Sequence, residues 1–135
     1  MTEVRVLIAD DSDAYRGALR EVVAATPGFT LVAEADSGET AIAEAERARP
    51  DLALIDIRMP GIGGPEAAAR IVERDPRTTV VLISADSSGR KVRRTGFLTA
   101  SKRSLRPDTL TALWENRGSA PLRRAREDSN LRPAD

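Results

Sequence analysis

The sequence predicts a doubly wound α/β domain built on a five-stranded parallel sheet. Short apolar runs such as 4–9 and 52–56 lack polar alternation, which is typical of strands covered on both faces. These runs alternate along the chain with segments of helical periodicity, and that alternation favours parallel strands joined by crossover helices. Several of the runs also end in acidic or hydroxyl side chains, at the edge where open parallel sheets carry their functional groups.

Composition narrows the class of protein further. The chain has 135 residues, which is enough for one domain with a single core. It contains no cysteine and no histidine, which excludes disulfides, thiolate metal sites, histidine-based catalytic triads and most zinc sites. No apolar run approaches the roughly 20 residues of a membrane span, and the N-terminus lacks a signal-peptide layout. We therefore expect a cytoplasmic protein with no membrane segment.

Start and stop signals define the elements of the first half of the chain. Ser12 or Asp11 is suited to cap the first helix, and the sequence Thr-Pro-Gly at 26–28 ends it. Ser37 precedes the second helix, and Arg49 with Pro50 closes it. The predicted elements are strand 1 at Val4–Ala9, helix 1 from about Asp13 to Ala25, strand 2 at Phe29–Ala35 and helix 2 between its two signals.

The second half is regular only as far as residue 84. Residues 86–94 favour no more than a shortened fourth helix, because they contain Gly89 and a basic cluster. The predicted elements are strand 3 at Leu52–Asp56, helix 3 from Pro65 to about Arg74, strand 4 at Thr79–Ser84, strand 5 at Gly96–Thr99 and a final amphipathic helix at Pro107–Trp114. A flavodoxin-like strand order, 2-1-3-4-5, places strands 1, 3 and 4 side by side.

Charge divides the chain into two unequal parts. Residues 1–86 carry 9 basic and 16 acidic side chains, whereas residues 87–135 carry 12 basic and 5 acidic ones. The last segment, 115–135, has little apolar content, so we expect a disordered basic tail after a domain of residues 1–114. Since a basic segment also suits nucleic acid, DNA binding through the C-terminal half is an alternative hypothesis.

Polar side chains end the three strands that the predicted order makes neighbours. Asp10 and Asp11 follow strand 1, Asp56 ends strand 3 and Ser84 ends strand 4. Carboxylates that share a site raise each other's pKa unless a cation neutralises them, and Mg²⁺ is a hard ion that takes such oxygen ligands. A carboxylate beside Mg²⁺ can accept a phosphoryl group, with a serine and a lysine available to contact the phosphoryl oxygens.

Four stretches of the chain resemble the receiver domain of two-component response regulators. They are Val6–Asp11, Asp56–Gly61, Val81–Ala85 and, less closely, Gly96–Leu98 followed by Lys102. The resemblance covers about residues 3–114. The specific signal is the acid pair together with its spacing to the sequence Asp-Ile-Arg-Met-Pro-Gly. That sequence and Gly-Phe-Leu most resemble the subfamily that usually carries a C-terminal helix-turn-helix DNA-binding domain.

The resemblance implies a role for each matching position. Asp56 would be the phosphoacceptor, and Mg²⁺ would be bound by Asp10, Asp11, Asp56 and the backbone carbonyl of Arg58. Ser84 and Phe97 would be the switch residues, and Lys102 would pair with the phosphate. The implied donor is a sensor histidine kinase. The implied output is through a protein partner, because residues 115–135 are too short for a helix-turn-helix, and the resemblance leaves a homodimer open.

Two departures from the family pattern keep other hypotheses open. The segment after Ser84 is shorter than in the family, and the usual lysine position is Ala100, two residues before Lys102. Either a bulge or loop brings Lys102 to the site, or the site has no lysine. The alternatives are a degenerate interaction module that phosphate does not switch and a truncated DNA-binding transcriptional regulator. A small-molecule phosphatase is a more distant one.

Overall fold

The computed structural model describes residues 3–85 and 97–119. Strands and helices alternate along residues 4–84, and a short 3-10 helix follows the strand at 98–101. The elements in chain order are β1 (Val4–Ala9), α1 (Asp13–Ala24), β2 (Phe29–Ala35), α2 (Gly38–Ala48), β3 (Leu52–Asp56), α3 (Gly64–Arg74), β4 (Thr79–Ser84), β5 (Leu98–Ser101), a 3-10 helix (Lys102–Ser104), α4 (Pro107–Glu115) and a second 3-10 helix (Arg117–Ser119).

The described strands form one parallel sheet in the order β2-β1-β3-β4-β5. This order confirms the flavodoxin-like arrangement predicted from the sequence. It makes β1, β3 and β4 neighbours, with Ala9 opposite Ile55 and Asp56 opposite Ile83. Because the strands are parallel, their carboxyl ends meet at one edge, and the polar residues that follow them meet there too.

Two apolar clusters cover the two faces of the sheet. One packs β-strand side chains such as Leu7, Ile55 and Leu82 against α2 and α3. The other packs Ile8, Leu54 and Ile83 against α1 and α4. Successive strand residues therefore belong to opposite cores. Strand β3 is buried at every position, which explains why its sequence shows no polar alternation.

The helices begin where side chains or backbone geometry satisfy their first N–H groups. Ser12 caps α1 by accepting from the N–H of Tyr15, so the first of the two predicted caps is the correct one. Ser37 and Thr40 form a reciprocal capping box at α2. Helix α3 has Pro65 in its first turn, as the sequence predicts.

The predicted bounds of the fifth strand are wrong by two residues. The sequence places it at 96–99, but β5 runs from Leu98 to Ser101, and Phe97 precedes it. The reason is its pairing with β4, because Leu98 lies opposite Val81 and Ser101 lies opposite Ser84. Lys102 therefore follows the strand directly.

The predicted short helix at 86–94, with its basic cluster of Arg90, Lys91, Arg93 and Arg94, lies outside the described residues. So does most of the predicted tail, from residue 120 onward. Helix α4 ends at Glu115, one residue beyond its predicted end. Trp114 packs on the core next to α1, and Arg117 stacks 3.6 Å from its ring. Among the described residues, no helix is long and apolar enough to cross a bilayer.

Candidate phosphoacceptor and metal site

Asp10 ends the first strand and turns the chain into α1. Its own N–H donates to the carbonyl of Ala35 at 3.0 Å, which continues the β1–β2 ladder by one residue. Its Oδ1 accepts from the N–H of Ser12 at 2.8 Å, and its carbonyl accepts from Arg16 Nη1 at 2.6 Å. The side chain is fully buried. The local turn therefore fixes this carboxylate at the sheet edge and leaves its second oxygen, Oδ2, facing the site.

Three carboxylates converge at this edge. One ligand oxygen from each of Asp10, Asp11 and Asp56 lies within 4.8 Å of the others. Asp56 is buried and Asp11 is exposed. Burial raises the pKa of Asp56 above its ordinary value, and the charge of Asp10 raises it further, while Lys102 acts in the opposite direction. The predicted convergence of these acids is therefore present in the structure.

Lys102 lies inside the cluster. Its ammonium is 2.9 Å from Asp10 Oδ2 and 3.5 Å from Asp56 Oδ2. The 3-10 helix that begins at Lys102 allows this contact, because it turns the chain over the carboxyl edge of the sheet directly after β5. Burial lowers the pKa of the ammonium, but the two carboxylates outweigh burial and raise that pKa above its ordinary value. Of the two arrangements that the sequence left open, the structure has the one in which a loop brings Lys102 to the acids.

One oxygen of the cluster has an incomplete environment. Asp10 Oδ2 is buried, and its partner within the described residues is the Lys102 ammonium at 2.9 Å, which Asp10 shares with Asp56. A single ammonium only partly compensates the burial of a carboxylate that lies beside two others. Three carboxylates also exceed the charge of one ammonium. The donor set therefore fits a hard divalent cation that takes oxygen ligands.

Sequence analysis did not identify Tyr15, which contacts Lys102 at two points. Its hydroxyl donates to the carbonyl of Lys102 at 3.1 Å, and the Lys102 ammonium lies 4.5 Å from its ring centroid. Burial raises the pKa of Tyr15 to about 12, assisted by the negative charges of Asp10 and Asp56. The available signal was its position in the first turn of the helix that follows the acid pair. That position alone does not distinguish a site residue from a core residue.

Ser84, Phe97 and Arg58 complete the set of predicted site residues. Ser84 is buried at the end of β4, one residue beyond the partner of Asp56. Phe97 is partly buried and packs against the core between the sheet, α2 and α3. The N–H of Arg58 donates to Asp56 Oδ1 over 3.4 Å, and the ligand role of its carbonyl stays a prediction.

The loop between β3 and α3 approaches Asp56 so closely that one position must be glycine. A Cβ added to Gly64 would lie 2.2 Å from the carbonyl oxygen of Asp56 and 2.8 Å from Cα of Ile57. Both atoms belong to the backbone and cannot move aside independently of β3. Gly64 thus allows α3 to start directly beside the strand end that carries Asp56.

Sequence relatives match this part of the chain. The profile of the response regulator receiver domain family matches residues 6–101. The response regulator GacA of Pseudomonas viridiflava is 38% identical over 81 residues, which are 60% of this chain and 38% of GacA. A protein-glutamate methylesterase/protein-glutamine glutaminase of Anaeromyxobacter dehalogenans is 44% identical over 79 residues, 58% of this chain and 23% of that protein. The chain thus spans less than half the length of these curated relatives.

Solved structures match the fold over a larger share of the chain. The signal receiver domain of the response regulator NarL from Mycobacterium tuberculosis superposes with a TM-score of 0.77 at 28% identity, covering 87% of this chain and 98% of that one. The response regulator domain of Thermotoga maritima CheB gives a TM-score of 0.65 at 26% identity, covering 87% of this chain and 96% of that one. The family profile matches residues 6–101, and the strand order and the acidic edge agree with that match. This chain therefore belongs to the response regulator receiver domain family.

Proposed function

We propose that this receiver domain accepts a phosphoryl group on Asp56 in a Mg²⁺-dependent reaction and passes the signal on through a protein partner. The observation that carries the proposal is the convergence of three carboxylates and the Lys102 ammonium at the carboxyl edge of the sheet. These are the groups that phosphoryl transfer to a carboxylate requires: a nucleophile, ligands for a metal and a cation for the phosphoryl oxygens.

Asp56 is the nucleophile of the proposed reaction. A carboxylate oxygen of Asp56 forms a bond to phosphorus, and the bond from phosphorus to the donor nitrogen breaks. The phosphoryl group ends as an acyl phosphate on Asp56, and the electron pair of the broken bond stays on the donor imidazole. The proximity of Lys102 supports the ionised, attacking form of Asp56, because it counteracts the effect of burial on the Asp56 pKa.

The acids around Asp56 would hold the metal. Asp10, Asp11, Asp56 and the carbonyl of Arg58 are the proposed ligands, and the buried Asp10 Oδ2 supports this choice because the one ammonium that contacts it within the described residues is shared with Asp56. When bound, Mg²⁺ supplies positive charge that offsets the negative charge of the transferring phosphoryl group. Asp10 holds its orientation through the bonds that its Oδ1 and carbonyl already make with Ser12 and Arg16.

Lys102 and Ser84 would hold the phosphoryl oxygens. The Lys102 ammonium already lies 3.5 Å from Asp56 Oδ2, within reach of an oxygen attached beyond it. Ser84 lies on the neighbouring strand at the same edge and offers a hydroxyl. In the proposed switch, Ser84 moves toward the phosphoryl group and Phe97 changes its packing, which biases the surface around β5 and α4 between two arrangements.

The proposed partners follow from the chemistry of the chain. Because these 135 residues contain no histidine, the phosphohistidine of the proposed donor lies outside them, here on a sensor histidine kinase. The downstream partner is a protein that reads the switched surface, and a second copy of the chain is compatible with that function. A cytoplasmic location belongs to the same proposal, because it is where the donor kinase would present its phosphohistidine.

The test is intact-mass measurement after incubation with phosphoramidate, with and without Mg²⁺. We expect one Mg²⁺-dependent phosphoryl adduct in the wild type and none in Asp56→Asn. A matched control is Asp51→Asn, which changes an acid at the opposite end of β3 and should leave the adduct unchanged.

The same experiment separates the proposal from its rival. A folded wild type that gains no adduct would contradict phosphorylation and favour the interaction module that phosphate does not switch. An adduct of equal yield in wild type and Asp56→Asn would place the phosphoryl group elsewhere and reject Asp56 as the acceptor. Folding is checked by circular dichroism on the same samples.

A further inference from the structure

Tyr15 contacts Lys102 at two separate points. The Tyr15 hydroxyl donates to the main-chain carbonyl of Lys102 at 3.1 Å. The Tyr15 ring lies beside the other end of the same residue, with the ammonium 4.5 Å from its centroid. One side chain in the first turn of α1 thus contacts both the backbone and the charged group of the lysine in the site.

We propose that Tyr15 is the positioning residue that holds the Lys102 ammonium between Asp10 and Asp56. The inference deepens the proposed function and rests on it for the effect on phosphoryl transfer. The position of Lys102 itself can be measured without any transfer, so the two can fail separately.

Lys102 needs such support because the sheet does not hold it. The last residue of β5 in the ladder is Ser101, opposite Ser84, and Lys102 begins the 3-10 helix outside the ladder. That helix is closed mainly by local bonds of Ser101, whose Oγ accepts from the N–H of Arg103 and whose carbonyl accepts from Ser104. The bond from Tyr15 ties this short turn to α1, and α1 in turn is packed on the core.

The ring of Tyr15 supports the flexible side chain of Lys102. A lysine side chain has a long, flexible stem, so a fixed ammonium position requires contacts along it. The Lys102 side chain is 19% exposed, and the aromatic ring provides an attractive surface beside the charge. The carboxylates of Asp10 and Asp56 attract the ammonium, and the ring limits the other positions that it can occupy.

Two variants separate the two contacts. Tyr15→Phe removes only the hydrogen bond to the Lys102 carbonyl, and Tyr15→Leu removes the ring as well. The control is Val22→Ala, because Val22 lies on the same helix, about two turns after Tyr15, and is partly buried against the same core cluster. Each variant is checked for native circular dichroism.

The first readout is the rate at which acetic anhydride modifies the Lys102 amine at fixed pH, measured by peptide mass spectrometry without any phosphodonor. We expect Tyr15→Phe to raise this rate about fivefold, the effect of one lost hydrogen bond. Tyr15→Leu should raise it roughly threefold further through the lost ring contact. An unchanged rate in Tyr15→Phe, or an equal rise in Val22→Ala, would overturn the proposal.

The second readout is the rate of phosphorylation by phosphoramidate in a double-mutant cycle with Lys102→Met. We expect Tyr15→Phe to slow the reaction about fivefold in the wild-type background and to have no effect in Lys102→Met. An equal slowing in both backgrounds would mean that Tyr15 does not act through Lys102. If the wild type accepts no phosphoryl group, the proposed function fails, and the acetylation rates alone decide on Tyr15.

Discussion

The Lys102 ammonium lies 2.9 Å from Asp10 Oδ2, although the two residues are 92 positions apart in the sequence. Asp10 is fixed by the turn between β1 and α1, and Lys102 is brought over the edge by the 3-10 helix after β5. Their contact joins the carboxyl ends of β1 and β5 beside Asp56. We expect this contact to contribute to stability, to metal binding and to the chemistry of the site.

Removing the ammonium should destabilise the metal-free protein. In Lys102→Met the buried carboxylates of Asp10 and Asp56 lose the cation that contacts them. We expect the free energy of unfolding to fall by on the order of 2–3 kcal/mol, the cost of leaving buried charge unpaired. Urea unfolding in the presence of a chelator measures this. The control is Arg103→Met, an exposed cation in the same turn, which should change stability by less than about 0.5 kcal/mol.

A loss in Arg103→Met as large as that in Lys102→Met would contradict this account. It would mean that any cation in the turn stabilises the protein through its general charge. The account also predicts that Mg²⁺ reduces the loss in Lys102→Met, because a metal bound to the same acids replaces the missing positive charge.

Mg²⁺ should raise the melting temperature of the wild type. A ligand that binds only the folded state stabilises it by about 2.7 kcal/mol at 100 times its dissociation constant. Asp10→Asn and Asp11→Asn each remove a proposed ligand, so the Mg²⁺-dependent rise should become much smaller in both. Glu73→Gln removes an exposed acid on α3 and should leave the rise unchanged. A full rise in Asp10→Asn would show that the metal binds elsewhere.

The pKa of Tyr15 reports the charge of the acidic cluster. Tyr15 is the one tyrosine in the sequence, so absorbance of the phenolate titrates a single group. We expect a midpoint near the pKa of about 12, because burial and the charges of Asp10 and Asp56 favour the neutral phenol. Asp10→Asn should lower the midpoint, since it removes one of these charges. A midpoint near 10 in a chain that is still folded would contradict the arrangement.

The same pKa predicts how stability changes at high pH. The folded-state pKa of Tyr15, about 12, exceeds the ordinary value of 10.0. The unfolded chain therefore releases the phenolic proton first. The stabilisation that Tyr15 provides is complete below pH 10 and is lost as the pH rises toward 12. Tyr15→Phe should be less sensitive to pH in this window, and parallel urea titrations at pH 9 and 11 would measure the difference.

Alanine substitutions at two helix glycines should change the stability of the protein in opposite directions. In Gly64→Ala the new Cβ would collide with the backbone of Asp56 and Ile57, which we expect to cost about 1–3 kcal/mol and to displace Asp56. In Gly17→Ala on α1 the nearest atom is 3.6 Å away, in a flexible arginine side chain. This change should stabilise the helix by roughly 0.5–1 kcal/mol. Equal stabilities of the two variants would contradict the close approach.

Sequence reasoning recovered the elements whose ends carry strong signals. Strands β1 to β4 have the predicted bounds because apolar runs and Pro, Gly or capping residues delimit them. The acids Asp10 and Asp56 converge because parallel strands end at the same edge. These features depend on local chemistry and on a general property of parallel sheets, so the sequence alone was sufficient.

The fifth strand and Tyr15 could not be predicted in the same way. The position of β5 is set by its register on β4, and register is a tertiary property that no turn signal near residue 96 records. The two-residue shift of this strand is also what brings Lys102 to the edge. Tyr15 contacts a residue 87 positions further along the chain, and its sequence neighbours on α1 give no indication of this contact.

The most direct test of the central claim identifies the carboxylate that carries the phosphoryl group. The wild type is incubated with phosphoramidate and Mg²⁺ and then treated with borohydride, which reduces an acyl phosphate of aspartate to homoserine, and the product is located by peptide mass spectrometry. The account predicts homoserine at position 56 alone, dependent on Mg²⁺ and reduced in Lys102→Met. Homoserine at Asp10 or Asp11, or at several acids in equal amounts, would contradict the assignment of Asp56 as the phosphoacceptor.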